Sequence, residues 1–205
     1  MENGHLPKNI SNEMEQQLSL LQHKLEDLRH AIQEKDCCIL NDFEEANNLF
    51  KQIHNRAGTF YLQLYLEPYT EFMEMLTIAS QHLSEKRHGA LIAIKREDPI
   101  ENLVHSGIPL HAKLTVSLLE SIFYPGNPLH DGGVLIEGEK IISAGNIFPS
   151  SLYYRGKDKL GTRHRAAIGL SEVSDCLVIV VSEETGGISF ALKGNLYPIQ
   201  PGINS

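Results

Sequence analysis

The segment at residues 161–165, Gly-Thr-Arg-His-Arg, places cationic side chains at the start of a predicted helix. Thr162 is a favourable N-cap residue, so the two arginines and the histidine fall in the first turn, where the helix macrodipole is positive. Each cation there is unfavourable by about 0.3–1 kcal/mol, and such a local conflict usually has a functional reason. An anion held by the free N–H groups of the helix start and by the arginine forks would remove the conflict, and a triphosphate suits this role. The alternative is that both arginines face solvent or pair with acidic groups.

A second segment, residues 128–133, has the sequence Pro-Leu-His-Asp-Gly-Gly and precedes a predicted strand. Asp131 offers a carboxylate to a metal ion or a hydroxyl group, and Gly132 and Gly133 let a nucleotide approach the backbone closely. His130 is a candidate metal ligand or hydrogen-bond donor. An ordinary turn is the alternative interpretation, because Asp-Gly is a common turn pair and a lone histidine is more often structural.

A third segment, residues 182–187, reads Ser-Glu-Glu-Thr-Gly-Gly and follows an apolar strand. Ligands in open α/β sheets bind beyond the carboxyl ends of strands, so a glutamate here is predicted to hold a metal ion. The alternative is an acidic hairpin turn. Together the three segments favour metal-assisted nucleotidyl transfer. The sequence has no Walker A motif, no GxGxxG motif and no kinase HRD loop, which disfavours the common ATP-binding folds.

The elements that must position these segments alternate between helix and strand from Pro68 onwards. Hydrophobic patterning predicts helices at residues 68–83, 112–123 and 162–171, and strands at residues 88–95, 134–136, 141–144, 177–181 and 188–192. This alternation predicts an α/β domain around a mixed sheet, which we place at residues 65–205.

Residues 1–64 are predicted to form a helical hairpin that precedes this domain. Between Ile10 and Ala57 the sequence has no Gly or Pro that would interrupt a helix. Apolar residues recur at steps of three and four, at Met14, Leu18, Leu21, Leu25, Leu28 and Ile32 and then at Phe43, Ala46, Phe50, Ile53, Ala57, Phe60 and Leu64. Such a seam shows that something is buried, but not against what. A regulatory or oligomer-forming element and a cap on the domain's core are therefore both open.

Composition and charge limit the classes of function. The chain has 205 residues, of which 41% are hydrophobic, and a formal net charge of −8. These values indicate a globular protein and argue against a general electrostatic grip on nucleic acid. Three cysteines without a CxxC spacing and a start without the features of a signal peptide predict a cytoplasmic protein. The longest run of large apolar residues, at 177–181, is far shorter than the roughly 20 residues that cross a bilayer, so no membrane association is predicted.

The three segments resemble the diadenylate cyclase family, whose hallmarks are an Asp-Gly-Ala turn and an Arg-His-Arg helix start. Here these hallmarks stand at residues 131–133 and 163–165, and the resemblance runs from Gly89 to Leu192. It includes residues 106–110 and 181–186. Gly133 stands where the family has alanine, and the missing methyl group is expected to loosen the turn.

The resemblance implies a three-layer αβα domain with a central mixed sheet. It also implies ATP as substrate, a divalent metal ion (Mg²⁺, Mn²⁺ or Co²⁺), and catalysis between the facing active sites of a homo-oligomer. The chain is similar to the short, soluble, sporulation-associated type of the family, because a helical hairpin stands where other members have a membrane anchor or a DNA-binding module.

The resemblance also implies roles for individual residues. The implied catalytic residues are Asp131, Arg163, His164 and Arg165. Nucleotide contacts are implied for Gly132, Gly133, Thr162 and Ser182, together with the arginines and His164. The implied metal ligands are Asp131, His130 and Glu184, with Glu183 as an alternative to Glu184.

Two rival functions remain. A catalytically inactive sensor of ATP or cyclic di-AMP would keep the cationic cluster but need neither metal nor turnover. A helical-hairpin adaptor would need no nucleotide. The presence of Asp131 together with both arginines favours the enzyme over either rival.

Overall fold

The computed structural model describes residues 8–34, 39–151 and 160–199. Cys37 and Cys38 lie outside these ranges, and Cys176 is buried with a free thiol. The chain divides into two compact units, Met1–Ala57 and Gly58–Ser205. The boundary that the sequence places between residues 64 and 65 stays a prediction.

The first unit is a helical hairpin. Helix α1 spans Lys8–Glu34, and helix α2 spans Ile39–Leu66, so that its last residues belong to the second unit. Lys24 on α1 pairs with Asp42 at 2.9 Å and with Glu45 at 2.6 Å near the start of α2. At the far end of the hairpin, Arg56 on α2 pairs with Glu13 on α1 at 3.3 Å. These ion pairs show that the two helices run antiparallel.

Some residues of the hairpin's apolar seam are buried, and others are exposed. Leu28, Ala46 and Ile53 are buried. Five other seam residues are about half exposed in the single chain, and we call them the outer stripe: Leu18, Leu25, Ile32, Phe43 and Phe50. The outer stripe repeats at intervals of seven residues on each helix, which is the repeat of a helix-packing surface.

The second unit is built on a seven-stranded mixed sheet. Its strands are β1 (Ala90–Ile94), β2 (Ile108–Lys113), β3 (Gly133–Glu137), β4 (Lys140–Asn146), β5 (Leu177–Val181), β6 (Ile188–Leu192) and β7 (Asn195–Ile199), in the order β2-β4-β3-β1-β5-β6-β7. Among the described strands, β1 and β3 pair in parallel, and the other neighbours pair antiparallel.

Helices cover both faces of this sheet. Ala90, Ile92 and Ile94 of β1 pack in one apolar cluster with helices α3 (Met73–Glu85) and α4 (Val116–Ile122). Leu91 and Ala93 of the same strand pack in a second cluster with helix α5 (Thr162–Val173). Because successive strand residues point to opposite faces, the two clusters lie on opposite sides of the sheet. The predicted three-layer αβα domain with a central mixed sheet is confirmed.

Two predicted helices differ from the structure, and two of its strands were not predicted. The helix predicted at 112–123 is wrong at its start, because residues 108–113 form β2 and the Thr115 side chain caps α4 by accepting from Leu118 N at 3.2 Å. The helix predicted at 68–83 begins only at Met73. Strands β2 and β7 were missed because both are edge strands with exposed polar positions and a proline, which obscures the apolar pattern.

Candidate active site

The sheet brings two of the three predicted segments together at one end of its central strands. Ala90, the first residue of β1, pairs with Val181, the last residue of the antiparallel strand β5. Strand β3 runs parallel to β1 and begins at Gly133. The turn at residues 131–133 and the loop at residues 182–187 therefore lie at the same end of these strands.

The third segment lies at the same end of the strands. A short connection joins the end of α5 to the start of β5, and α5 runs antiparallel to β5, so the start of α5 lies near the end of β5. The prediction of Thr162 as N-cap is wrong: Gly161 holds that position, and Thr162 is the first helical residue. Glycine has no side chain to cap the helix, and no side chain among the described residues caps it, so the N–H groups of the first turn can bind a ligand.

A cleft of about 460 Å³ lies between the start of α5 and the loop that follows β5. Its lining residues are Leu160, Gly161, Thr162, Arg163, His164, Val181, Ser182, Glu183, Glu184, Thr185 and Gly187. Of the predicted site residues, Thr162, Arg163, His164, Ser182 and Glu184 line this cleft, whereas His130, Asp131, Gly132, Gly133 and Arg165 lie outside its lining.

Arg163 connects the cleft to the other segments. Its Nη1 donates to Glu183 Oε2 at 2.6 Å, and its Nη2 donates to the backbone oxygen of His130 at 3.4 Å. The Nε of Arg163 is buried and has no partner among the residues that the structure describes. A buried donor without an acceptor is costly, and an anion bound in the cleft would supply one.

Gly89 makes room for this arginine, a role that sequence reasoning missed. A Cβ at residue 89 would lie 2.5 Å from Arg163 Nη1 and 2.8 Å from Glu183 Oε2. The Arg163–Glu183 ion pair therefore lies directly over the start of β1. Sequence alone gave no indication of this, because the glycine acts through the side chain that it lacks.

His164 contributes a neutral ring rather than a third cation. The imidazole is half-buried, and burial lowers the pKa of His164 below its usual range. The positive side-chain charge at the start of α5 therefore comes from Arg163 and Arg165. The Arg165 side chain is exposed, while its backbone oxygen accepts from Ser151 N at 2.9 Å.

The turn at residues 131–133, which we call the acidic turn, is held by the end of β4. Gly132 has a φ of +107°, and a Cβ there would lie 2.7 Å from the backbone oxygen of Asn146, so the turn requires glycine. Asn146 is 1% exposed, donates from Nδ2 to the Gly133 oxygen at 2.8 Å, and accepts from Ser143 Oγ at 2.9 Å. Asn146 is a second residue that sequence reasoning missed, because its importance depends on a long-range pairing.

His130 is oriented by its own loop. Its Nδ1 lies 2.6 Å from the backbone oxygen of Asn127. A carbonyl oxygen can only accept, so Nδ1 carries a proton, and in the neutral imidazole the lone pair is then on Nε2. This is the usual arrangement of a histidine that binds a metal ion.

The structure does not gather the predicted carboxylate ligands into a group of three metal-binding side chains within the described residues. Asp131 and Glu184 are exposed, and within the described ranges no three His, Cys, Asp or Glu side chains are grouped to hold a metal ion. The Ser182 hydroxyl accepts from Thr185 N at 3.2 Å and so shapes the loop that carries both glutamates.

Comparison with known proteins places this arrangement in a family. Residues 77–196, which include all three segments, match the model of the DisA bacterial checkpoint controller nucleotide-binding domain. Residues 1–69 match the model of the N-terminal region of the diadenylate cyclase CdaS. The chain belongs to the diadenylate cyclase family. The predicted enzyme class and the predicted sporulation-associated subtype are confirmed.

Relatives of known name cover nearly the whole chain. The chain is 48% identical to the diadenylate cyclase CdaS of Bacillus thuringiensis, over 95% of this chain and 96% of that one. It is also 48% identical to the cyclic di-AMP synthase CdaS of Bacillus subtilis, over 82% and 81% of the two chains.

Solved structures agree with this membership of the diadenylate cyclase family. A crystal structure from Bacillus cereus, described as a hypothetical membrane spanning protein, has a TM-score of 0.80 and 48% identity over 94% of this chain and 95% of that one. DacA from Staphylococcus aureus, solved as a double mutant, has a TM-score of 0.61 and 39% identity over 64% and 88%. Among the helices that the structure describes here, none is long and apolar enough to cross a membrane.

Proposed function

We propose that this member of the diadenylate cyclase family joins two ATP molecules into cyclic di-AMP and releases two pyrophosphates. The observation that carries this proposal is the position of Arg163. It stands at an uncapped helix start beside a cleft, and its buried Nε has no acceptor among the described residues. Phosphate groups satisfy both the arginine fork and the free N–H groups of a helix start.

The cationic segment would bind the triphosphate. Arg163 and Arg165 supply charge, and they offset the negative charge that develops on the departing pyrophosphate. Neutral His164 supplies a hydrogen bond without adding to the repulsion between cations. Thr162, Ser182 and the backbone at Gly132 and Gly133 would add uncharged contacts to the nucleotide.

The residues present suit a metal ion that arrives with the nucleotide. Mg²⁺ usually keeps several waters and binds through one or two carboxylates plus substrate phosphates, so it needs no dedicated group of protein ligands. Asp131 and Glu184, with Nε2 of His130, would hold it, and Glu183 is less suited because it already pairs with Arg163. The bound metal ion neutralises phosphate charge.

The reaction requires two facing subunits. The 3′-hydroxyl oxygen of each ATP forms a bond to the α-phosphorus of the other, the bond from that phosphorus to the β-phosphate oxygen breaks, and the hydroxyl proton leaves. Asp131 would orient the hydroxyl or accept this proton. The exposure of Asp131 and Glu184 in the single chain supports a site that a second copy completes.

The proposed activity has a direct test. Purified protein incubated with ATP is expected to form cyclic di-AMP in the presence of Mg²⁺, Mn²⁺ or Co²⁺ and to lose this activity in excess EDTA, with products identified by mass spectrometry. GTP should be a poor substrate if the base pocket follows the family. Tight ATP binding without cyclic product under all three metals would instead establish the protein as a nucleotide sensor.

The hairpin is proposed to assemble and restrain the enzyme. The outer stripe leaves several large apolar side chains half exposed on both helices, including Leu25 at 51% and Phe50 at 54%. A contiguous apolar face of this kind usually marks an interaction surface. We infer that it joins copies of the chain in a homo-oligomer larger than a dimer, which keeps the active sites from facing each other.

Leu25→Asp is expected to shift the oligomer towards smaller species and to raise the specific activity. Leu25 is half exposed in the single chain, so the substitution should spare the hairpin itself, whereas burying a lone carboxylate in an apolar interface is costly. Removal of residues up to Ile32 should have the same effect more strongly. The readouts are mass by light scattering and product formed per milligram.

A matched control is Asn48→Asp, which adds a carboxylate at an exposed position on the opposite side of α2. This variant should keep the mass and rate of the wild type. If Leu25→Asp lowers the rate as the oligomer dissociates, the hairpin activates the enzyme instead. An unchanged mass and rate would leave it as a structural cap.

A further inference from the structure

We propose that Phe148 and Gly133 form a matched pair that fixes the backbone of the acidic turn, which makes Phe148 a positioning residue for Asp131. The inference rests on the proposed role of Asp131.

Gly133 is not required by its own backbone conformation. Its φ lies outside the left-handed region, so alanine would be permitted on conformational grounds. The residue is buried and begins β3. What excludes a methyl group is therefore the neighbouring structure.

That neighbour is the ring of Phe148. A Cβ at residue 133 would overlap the ring at Cε2, and would lie 2.9 Å from Cζ and 3.0 Å from Cδ2. Phe148 is 6% exposed and packs in the apolar cluster with Ala167 and Leu170 of α5. Because the ring is buried in that cluster, making room for a methyl group would disturb its packing, and closely packed interiors do not absorb such overlap freely.

The Phe148 ring thus occupies the space of the missing methyl group. The sequence predicts that glycine loosens the turn, but in the structure Gly133 has a close neighbour on both sides. The Phe148 ring lies against its Cα, and Asn146 Nδ2 donates to its carbonyl oxygen at 2.8 Å. Asp131 is only two residues away, so a displacement at Gly133 changes where the Asp131 carboxylate points.

The test is a double-mutant cycle on turnover. Gly133→Ala alone is expected to lower kcat at least tenfold and to change the KM for ATP by a smaller factor, because Gly133 adds only an uncharged backbone contact and the cationic segment is untouched. Phe148→Leu alone should lower kcat only a few-fold. Gly133→Ala combined with Phe148→Leu should recover at least most of the kcat lost in Gly133→Ala. Recovery in the double variant would show coupling between the two positions.

Phe123→Leu provides the matched control, because Phe123 is 1% exposed but belongs to the cluster on the other face of the sheet. It should not rescue Gly133→Ala. If Gly133→Ala does not fold, the double variant is compared with Phe148→Leu: equal or higher kcat supports the pair, and a tenfold lower kcat overturns it.

Asp131→Asn, assayed in parallel, distinguishes a failure of the matched pair from a failure of the proposed role of Asp131. If Asp131→Asn is inactive but Gly133→Ala lowers kcat by the same factor in the wild type and in the Phe148→Leu variant, the matched pair is wrong and the proposed function stands. If Asp131→Asn retains full turnover, the proposed role of Asp131 is wrong, and the positioning role of Phe148 is overturned with it.

Discussion

Replacing Asp131 with asparagine is expected to lower the rate of cyclic di-AMP formation by about 10²–10⁴-fold while leaving ATP binding largely intact. The substitution keeps the shape of the side chain but removes the charge that orients the hydroxyl group, accepts its proton or holds the metal ion. Asp131 is exposed and lies outside the lining of the cleft beside Arg163, so neither folding nor the grip on the triphosphate should suffer.

The measurement pairs initial rates of product formation with calorimetric titration of ATP in the presence of metal. Glu139→Gln is the matched control, since it removes an exposed carboxylate from the turn at the opposite end of the β3–β4 pair. It should behave as the wild type. Unchanged turnover in Asp131→Asn would remove this residue from the mechanism.

Arg163→Ala is expected to weaken ATP binding by about 10–100-fold and to lower turnover as well. A hydrogen bond to a charged group contributes about 1.5–3 kcal/mol, and each 1.4 kcal/mol corresponds to a factor of ten in affinity. The substitution also removes the links from α5 to Glu183 and to the backbone of His130, so the two loops lose their common anchor.

Arg163→Lys sharpens this prediction, because it keeps the charge but not the forked geometry. Lysine is expected to recover only part of the lost affinity, since it cannot donate to a phosphate, Glu183 and a backbone oxygen from one planar group. Lys140→Ala serves as the control, because Lys140 is exposed at the start of β4, far from the end of the sheet that carries Arg163 and Glu183. Equal ATP affinity in the wild type and Arg163→Ala would contradict the phosphate-binding role.

Much of the fold could be predicted from the sequence where a single local pattern was decisive. The strands at the centre of the sheet are buried on both faces and form uninterrupted apolar runs, as at residues 90–94 and 177–181. The cationic helix start was recognisable because it conflicts with the helix dipole. Edge strands β2 and β7 gave no such pattern.

The details of the site could not be predicted, because they depend on contacts between distant segments. Gly89 and Gly133 act through space that a side chain would occupy, and only the structure shows that Arg163 and Phe148 take up that space. The role of Asn146 likewise follows from its pairing with Gly133 across two strands. A residue type alone cannot reveal such a partner.

The pairing of β1 with β5 also determines when the chain becomes competent during folding. Gly89 and Glu183 lie far apart in the sequence, and they become neighbours only when these two strands pair. Closing so long a loop is entropically costly and tends to come late. A collapsed chain that has not formed this pair does not bring the turn at residues 131–133 to the loop at residues 182–187, so its site is incomplete. Variants that destabilise the sheet should consequently reduce the number of active molecules, while each molecule that completes folding works at the full rate.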